Sequence, residues 1–153
     1  LALASVLTAE GVPARALSNV KADQVVDQFT HRRALSHLEK GRVVIVAGGI
    51  GRPYLTTDTA AVSLALEMDC EVVLKATKVD GVFDRDPSKY PDAKKLDKIS
   101  YDEALANGEI GVMDKAALGL AMEHRTPVIV FALLDDGNIE RAVNGSHAGT
   151  VIG

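Results

Sequence analysis

Two segments of the chain concentrate residues able to do chemistry. The first reads Ala47-Gly48-Gly49-Ile50-Gly51-Arg52-Pro53-Tyr54-Leu55-Thr56-Thr57-Asp58-Thr59. Three glycines directly after an apolar run let backbone approach a ligand closely, because no Cβ stands in the way. Thr56, Thr57, Asp58 and Thr59 then open a helical pattern. Free N–H groups at a helix start, joined by hydroxyls, form a natural phosphate site. The plainer reading is that Thr57 or Asp58 only caps the helix. The segment is neither a Walker A loop nor a dinucleotide fingerprint, since Tyr54 occupies the third fingerprint position counted from Gly49. The second segment, Leu74 to Pro87, carries Lys75, Thr77, Lys78, Asp80, Phe83, Asp84 and Asp86. An aromatic can stack on a base, hydroxyls and carboxylates can hold its edge or ribose, and lysines can face phosphates. The competing reading is an ordinary polar turn at Asp80-Gly81 with an exit at Asp86-Pro87.

Both segments need strands and helices to position them. Val43-Val44-Ile45-Val46 is a continuous β-branched run between Gly41 and Gly48, which predicts a strand buried on both faces. Glu71–Leu74 predicts a second buried strand, Pro127–Phe131 a third and Thr150–Ile152 a last one, with a further short strand at 14–17. Helices are predicted over 1–10, from an Asp23 cap through Leu38, over 59–68, 101–106 (ended by Asn107-Gly108), 113–123 and 138–143. The stretch 78–90 reads as loop. Strands alternating with helices imply a mainly parallel sheet with helices on both faces. Ligands then bind beyond the carboxyl ends of the strands, which is where both segments lie.

Composition narrows the classes. A chain of 153 residues without an internal linker suits a single domain over 1–153, and 47% hydrophobic residues supply a core. Net charge is −4, from 17 basic and 21 acidic residues, so nothing supports a nucleic-acid partner. His31-Arg32-Arg33 and Lys94-Lys95 read as solvated surface. The longest apolar runs, 43–47 and 128–134, fall far short of the roughly 20 residues that span a bilayer. Cys70 lies in an apolar stretch and reads as a buried, inert thiol, and one unpaired cysteine fits a reducing cytoplasm.

Taken together, the strings AGGIGRPYLTTDTAA and VVLKATKVDGVFDRDP resemble the UMP kinase branch of the amino-acid-kinase family. His31-Arg32-Arg33-Ala34, His37–Arg42 and Val112-Met113-Asp114 with Ala116-Ala117 fit the same pattern, so the resemblance covers essentially the whole chain. It departs at Arg52 and Tyr54-Leu55, where family members often carry Asn and two Phe. The resemblance implies a three-layer α/β/α sandwich and transfer of phosphate from MgATP to UMP, giving UDP for pyrimidine nucleotide (CTP) synthesis. It implies a cytoplasmic homohexamer, activated by GTP and inhibited by UTP, with ATP and Mg²⁺ as cofactors. By matching positions, Ile50, Gly51, Arg52, Pro53, Tyr54, Leu55, Thr56 and Thr57 would line the UMP site. Thr77, Phe83 and Asp86 would hold ATP, and Asp58 would act catalytically where the two sites meet. Lys75 and Lys78 are candidates for phosphate contact.

Family members begin with a strand and a glycine loop bearing a phosphate-binding lysine, neither of which precedes Leu1. The expectation is therefore a carboxy-terminal portion, inactive by itself, with an apolar sheet edge left uncovered. A sister kinase acting on acetylglutamate, glutamate or aspartate, and a non-catalytic nucleotide-binding module, are the alternatives.

Overall fold

The structure, a computed structural model, describes residues 1–107, 111, 113–146 and 149–153. Gly108 and Val112, named above, lie outside the described residues. The chain divides into two compact units, Leu1–Ala60 and Ala61–Gly153.

The first unit runs α1 (Ala2–Ala9), β1 (Ala14–Ser18), β2 (Asp27–Gln28), α2 (His31–Leu38) and β3 (Val43–Ala47). Its sheet has the order β2-β1-β3 and is parallel throughout. β1 is the middle strand, so Ala14 and Leu17 are buried, together with Ala34 of α2. The helix expected from Asp23 is corrected. Residues 27–28 pair with Leu17 and Ser18 as a short strand, and α2 starts only at His31. Thr30 decides that start, because its hydroxyl accepts the Arg33 N–H and ends the extended backbone. The expected two-sided burial of β3 is also corrected. Val43 is 41% exposed and Val44, Ile45 and Val46 are half-buried. β3 bonds only to β1 in this sheet, so one of its edges has no strand beside it among the described residues. The basic cluster at His31-Arg32-Arg33 is exposed, as expected. The Arg42 guanidinium lies 3.0 Å from His37 Nδ1. Partial burial first, then Arg42, Arg15 and Lys40, hold the His37 imidazole below its ordinary value.

The helix α3 (Thr57–Glu67) leads into the second unit. There follow β4 (Val73–Thr77), β5 (Val82–Phe83), β6 (Lys95–Leu96), β7 (Lys98–Ile99), α4 (Tyr101–Ala106), α5 (Lys115–His124), β8 (Val128–Ala132), α6 (Asn138–Val143) and β9 (Gly149–Ile152). Four strands form a sheet in the order β4-β8-β9-β7, and β5 with β6 makes a separate antiparallel hairpin. β4 with β8 and β7 with β9 are parallel, whereas β8 and β9 are antiparallel. The core gathers Val62, Val82, Leu118, Val128, Val130 and Ile152, each at most 2% exposed. Short helices are closed by local chemistry. Ser100 and Glu103 form a capping box at α4, and Asp114 accepts the Ala117 N–H at 2.8 Å to start α5.

Three further expectations change in this unit. The strand expected over 71–74 runs instead from Val73 to Thr77, because its partner β8 continues to Ala132, so Lys75 and Thr77 stand on a strand. The stretch 78–90, expected as loop, contains β5. Cys70 is exposed. Asp69, in the left-handed region at φ 54°, turns the chain out of α3 and lifts the thiol away from the core. The thiol is nonetheless held above its ordinary value, first by partial desolvation and then by the Asp69 carboxylate. No helix of the described residues is long and apolar enough to cross a membrane.

Leu118 fills the centre of the second unit's core. Leu118→Ala is expected to lower unfolding stability by about 2–5 kcal/mol, through lost transfer energy and an unfilled cavity. Urea denaturation followed by circular dichroism measures it, and a loss under about 1 kcal/mol would mean that the core collapses around the gap.

Candidate functional site

In the first unit the glycine loop leaves the carboxyl end of β3 beside the carboxyl end of β1, as the pairing of Ser18 with Ala47 requires. Gly48 has φ +84°, and a Cβ there would stand 2.9 Å from Val20 Cγ2 and 3.1 Å from Val20 N. Both conformation and space therefore demand glycine. Asn19 anchors the loop: its N–H bonds to Ala47 O at 2.9 Å and its Nδ2 donates to Gly49 O. The Gly51 N–H closes a turn on Gly48 O at 3.2 Å. Ile50 is half-buried, while Gly51, Arg52, Pro53, Tyr54, Leu55, Thr56 and Thr57 are exposed. Tyr54 combines full exposure with φ 67°. A bulky residue in that region costs energy without any packing return here, which is a mark of functional loops.

The start of α3 resolves the capping question raised by the sequence. Thr56 Oγ1 accepts the Asp58 N–H at 3.0 Å and Thr56 O accepts the Ala60 N–H at 3.2 Å. Thr56 supplies the side-chain cap. Asp58 stands in the first turn of an 11-residue helix, half-buried, with its carboxylate at the positive end of the dipole.

In the second unit a cavity of about 590 Å³ opens at the carboxyl end of β4. That volume falls in the range of small-molecule sites. Lys75, Thr77, Phe83 and Asp86 all line it, so four residues singled out from the sequence converge. Lys78 is exposed and is not in the lining. Thr77 Oγ1 donates to Val79 O at 2.7 Å and accepts the Val79 N–H at 3.0 Å. Its hydroxyl thus shapes the turn out of the strand. Asp86 Oδ1 accepts the Ser88 N–H at 2.9 Å and the Ser88 hydroxyl at 2.6 Å. Those bonds, with Lys89 nearby, hold its carboxyl below the usual carboxylate range. Asp84 Oδ1 accepts the Lys94 N–H at 2.9 Å, and Asp80 pairs with Lys95 at 3.2 Å. Arg85 bridges toward Asp92 at 3.6 Å and lies over the Tyr90 ring. The acidic residues of this segment build the loop that carries Phe83.

Sequence reasoning missed Asn19, Arg85, Ser88 and Val130. Arg85 and Ser88 lay within or beside the second segment and were legible as polar neighbours of Phe83. Asn19 and Val130 reach their places only through strand pairing, Val130 opposite Lys75. Among the described residues no group of three or more His, Cys, Asp or Glu side chains could hold a metal ion.

Known proteins match this arrangement. A solved UMP kinase from Bacillus anthracis superposes with a TM-score of 0.93 at 37% identity, covering 99% of this chain and 62% of that one. One from Ureaplasma parvum gives 0.91 at 31% identity, covering 99% and 65%. The uridylate kinase of Archaeoglobus fulgidus gives 0.65 at 32% identity, covering 79% and 57%. The chain therefore spans less than two thirds of each of these relatives. Its mixed α/β units with mainly parallel strands have the fold of these kinases. The model of the family described as "Amino acid kinase family" matches residues 1–132, and on that extent of agreement the chain belongs to the amino acid kinase family.

Proposed function

We propose that the complete protein transfers the γ-phosphoryl group of MgATP to UMP, giving ADP and UDP in pyrimidine nucleotide (CTP) synthesis. The observation that supports this most is the glycine loop, which enters α3 through Thr56-Thr57-Asp58 within a backbone matching a solved UMP kinase over 99% of this chain. The activity is proposed for the complete protein. These 153 residues span 62% of that relative, and alone they are expected to be inactive.

In this reading the loop from Ile50 to Thr57 binds UMP. The glycines let its backbone approach the nucleotide, and the start of α3 favours the negative phosphate. The acceptor is already a phosphate, largely ionised near neutral pH, so no strong general base is required. Asp58 organises Mg²⁺ or the neighbouring hydroxyls. Phe83 stacks on the adenine of ATP, Lys75 faces phosphate, and Thr77 and Asp86 hold the cavity wall through the turns they close. The bond between the γ-phosphorus and the ADP oxygen breaks as one to a UMP phosphate oxygen forms. The reading extends to a cytoplasmic homohexamer activated by GTP and inhibited by UTP.

A coupled assay of ADP release should find UMP preferred over CMP, AMP and acetylglutamate. Equal or better turnover of acetylglutamate would overturn the assignment in favour of a carboxylate kinase. Phe83→Ala should raise the ATP constant about tenfold to a hundredfold, the cost of one lost base–aromatic stack, and leave the UMP constant nearly unchanged. A raised UMP constant with normal ATP would mean that the two loops have exchanged roles. Because Thr56 supplies the cap, Asp58→Asn should alter stability by less than about 2 kcal/mol, the most that a partly buried charge gains from a helix dipole. Turnover should fall at least about tenfold. A melting curve beside steady-state kinetics across a Mg²⁺ titration separates the two effects, and a destabilised protein with normal turnover would reduce Asp58 to a structural role.

A further inference from the structure

The hairpin that carries Phe83 is small. β5 and β6 pair over two residues each, Val82 with Leu96 and Phe83 with Lys95. An isolated two-stranded hairpin is marginally stable at best in water. At its outer end Asp84 adds bonds to Lys94, through Asp84 N–H to Lys94 O at 3.0 Å and Lys94 N–H to Asp84 Oδ1 at 2.9 Å. Those bonds close the hairpin on itself and do not attach it to the sheet.

Val82 packs in the core and β6 runs on into β7 after Asp97, and polar attachment comes from β9. Thr150 is fully buried, with 0% of its surface exposed. Its Oγ1 accepts the Val82 N–H at 2.8 Å and donates to Leu96 O. Val82 and Leu96 are partners on one rung of the hairpin, so a single hydroxyl grips both strands at the same level. Gly81 makes the approach feasible, because a Cβ there would stand 2.6 Å from Thr150 Oγ1. On the other side a Cβ at Gly149 would meet Val130 O at 1.9 Å, so β9 lies hard against β8. Val130 lines the cavity. The rung held by Thr150 is adjacent to Phe83, and Gly81, Val82 and Phe83 form one wall of that cavity.

We propose that Thr150 is a positioning residue for the nucleotide loop: its hydroxyl locks the β5–β6 hairpin to β9 and thereby fixes where Phe83 stands in the cavity. This rests on the reading of that cavity as the ATP site. Without the hydroxyl, the buried Val82 N–H and the part-buried Leu96 carbonyl lose this partner, and the rung is left to the packing of Val82 and Leu96 against the core. The loss falls on ATP, whose site is built on the hairpin, and not on UMP, whose proposed loop lies in the first unit.

The test uses the complete gene product as wild type, Thr150→Val, Thr150→Ser and Gly81→Ala. Thr150→Val keeps the volume and removes the hydroxyl. It removes both hydrogen bonds of the hydroxyl, and should raise the dissociation constant and KM for MgATP at least about tenfold and leave the UMP KM within about twofold. Amide hydrogen exchange at Val82 should quicken in the same variant. Thr150→Ser should restore both readouts. If Thr150→Val does not fold, Gly81→Ala, which pushes on the same hydroxyl, should give the same ATP-selective loss. Unchanged ATP constants in a folded variant, or ATP and UMP constants that move together, would overturn the proposal and leave Thr150 a purely structural residue. A wild-type protein without MgATP affinity would overturn the nucleotide reading itself. The exchange measurement then decides the lock alone, and unchanged protection at Val82 would overturn that as well.

Discussion

Parallel pairing of β4 with β8, in register from Val73 with Val128 to Thr77 with Ala132, is the constraint on which the second unit's cavity depends. Each inner backbone group of β4 along that edge has a partner, so the strand cannot slide. A slip of one residue would turn every side chain to the opposite face. The register sets Lys75 opposite Val130, and both line the cavity. It also ends β4 at Thr77, whose hydroxyl takes both polar groups of Val79 and turns the chain toward the hairpin. The first unit repeats the principle on a smaller scale. β1 and β3 pair in parallel over five residues and bring Asn19 alongside the glycine loop at their common carboxyl end.

The loops are then held by many small contributions. The ion pairs of Asp80 with Lys95, Arg85 with Asp92 and Asp86 with Lys89 are all substantially exposed. Such pairs contribute about 0–1 kcal/mol each, and salt screens them. Their value lies in geometry, since each links two points of one loop and limits how Phe83 can move. Thr77 and Ser88 do the same in that loop, and Thr56 fixes the start of α3, through short-range bonds to backbone or carboxylate. The Ser88 bonds hold the Asp86 carboxyl below the usual carboxylate range, and through them the charged group pins the turn after the hairpin strand. A site assembled in this way would suit the proposed phosphoryl transfer, which asks chiefly for positioning from a protein.

Much of this was legible in the sequence because it is local. Two helices, Tyr101–Ala106 and Asn138–Val143, stand where periodicity and punctuation set them, and the strands at 14–18, 128–132 and 149–152 lie within a residue of their expected ends. The helix expected from Asp23 failed because Val25, Val26 and Phe29 show a helical spacing, while Thr30 offers a stronger start and 27–28 find a strand to pair with. Cys70 looked buried from its apolar neighbours, yet the left-handed turn at Asp69 exposes it. The hairpin at 82–83 and 95–96 escaped notice because two-residue strands carry no period.

The amino-acid sequence by itself determined which residue types stand where chemistry is possible: glycines and hydroxyls after the run 43–46, and lysine, threonine, aromatic and carboxylates after Val73-Leu74. These depend on neighbours within a few positions, and local preference is enough to read them. Only the tertiary structure decided which of those groups remain available and which are spent on architecture. Thr56 rather than Thr57 caps α3, Asp86 is engaged by Ser88, and Thr150, 68 residues beyond Val82, supplies the hydroxyl that grips the hairpin. Such partnerships join residues far apart in the chain, and they arise only when strand register brings a buried donor to a buried acceptor that would otherwise stand unpaired.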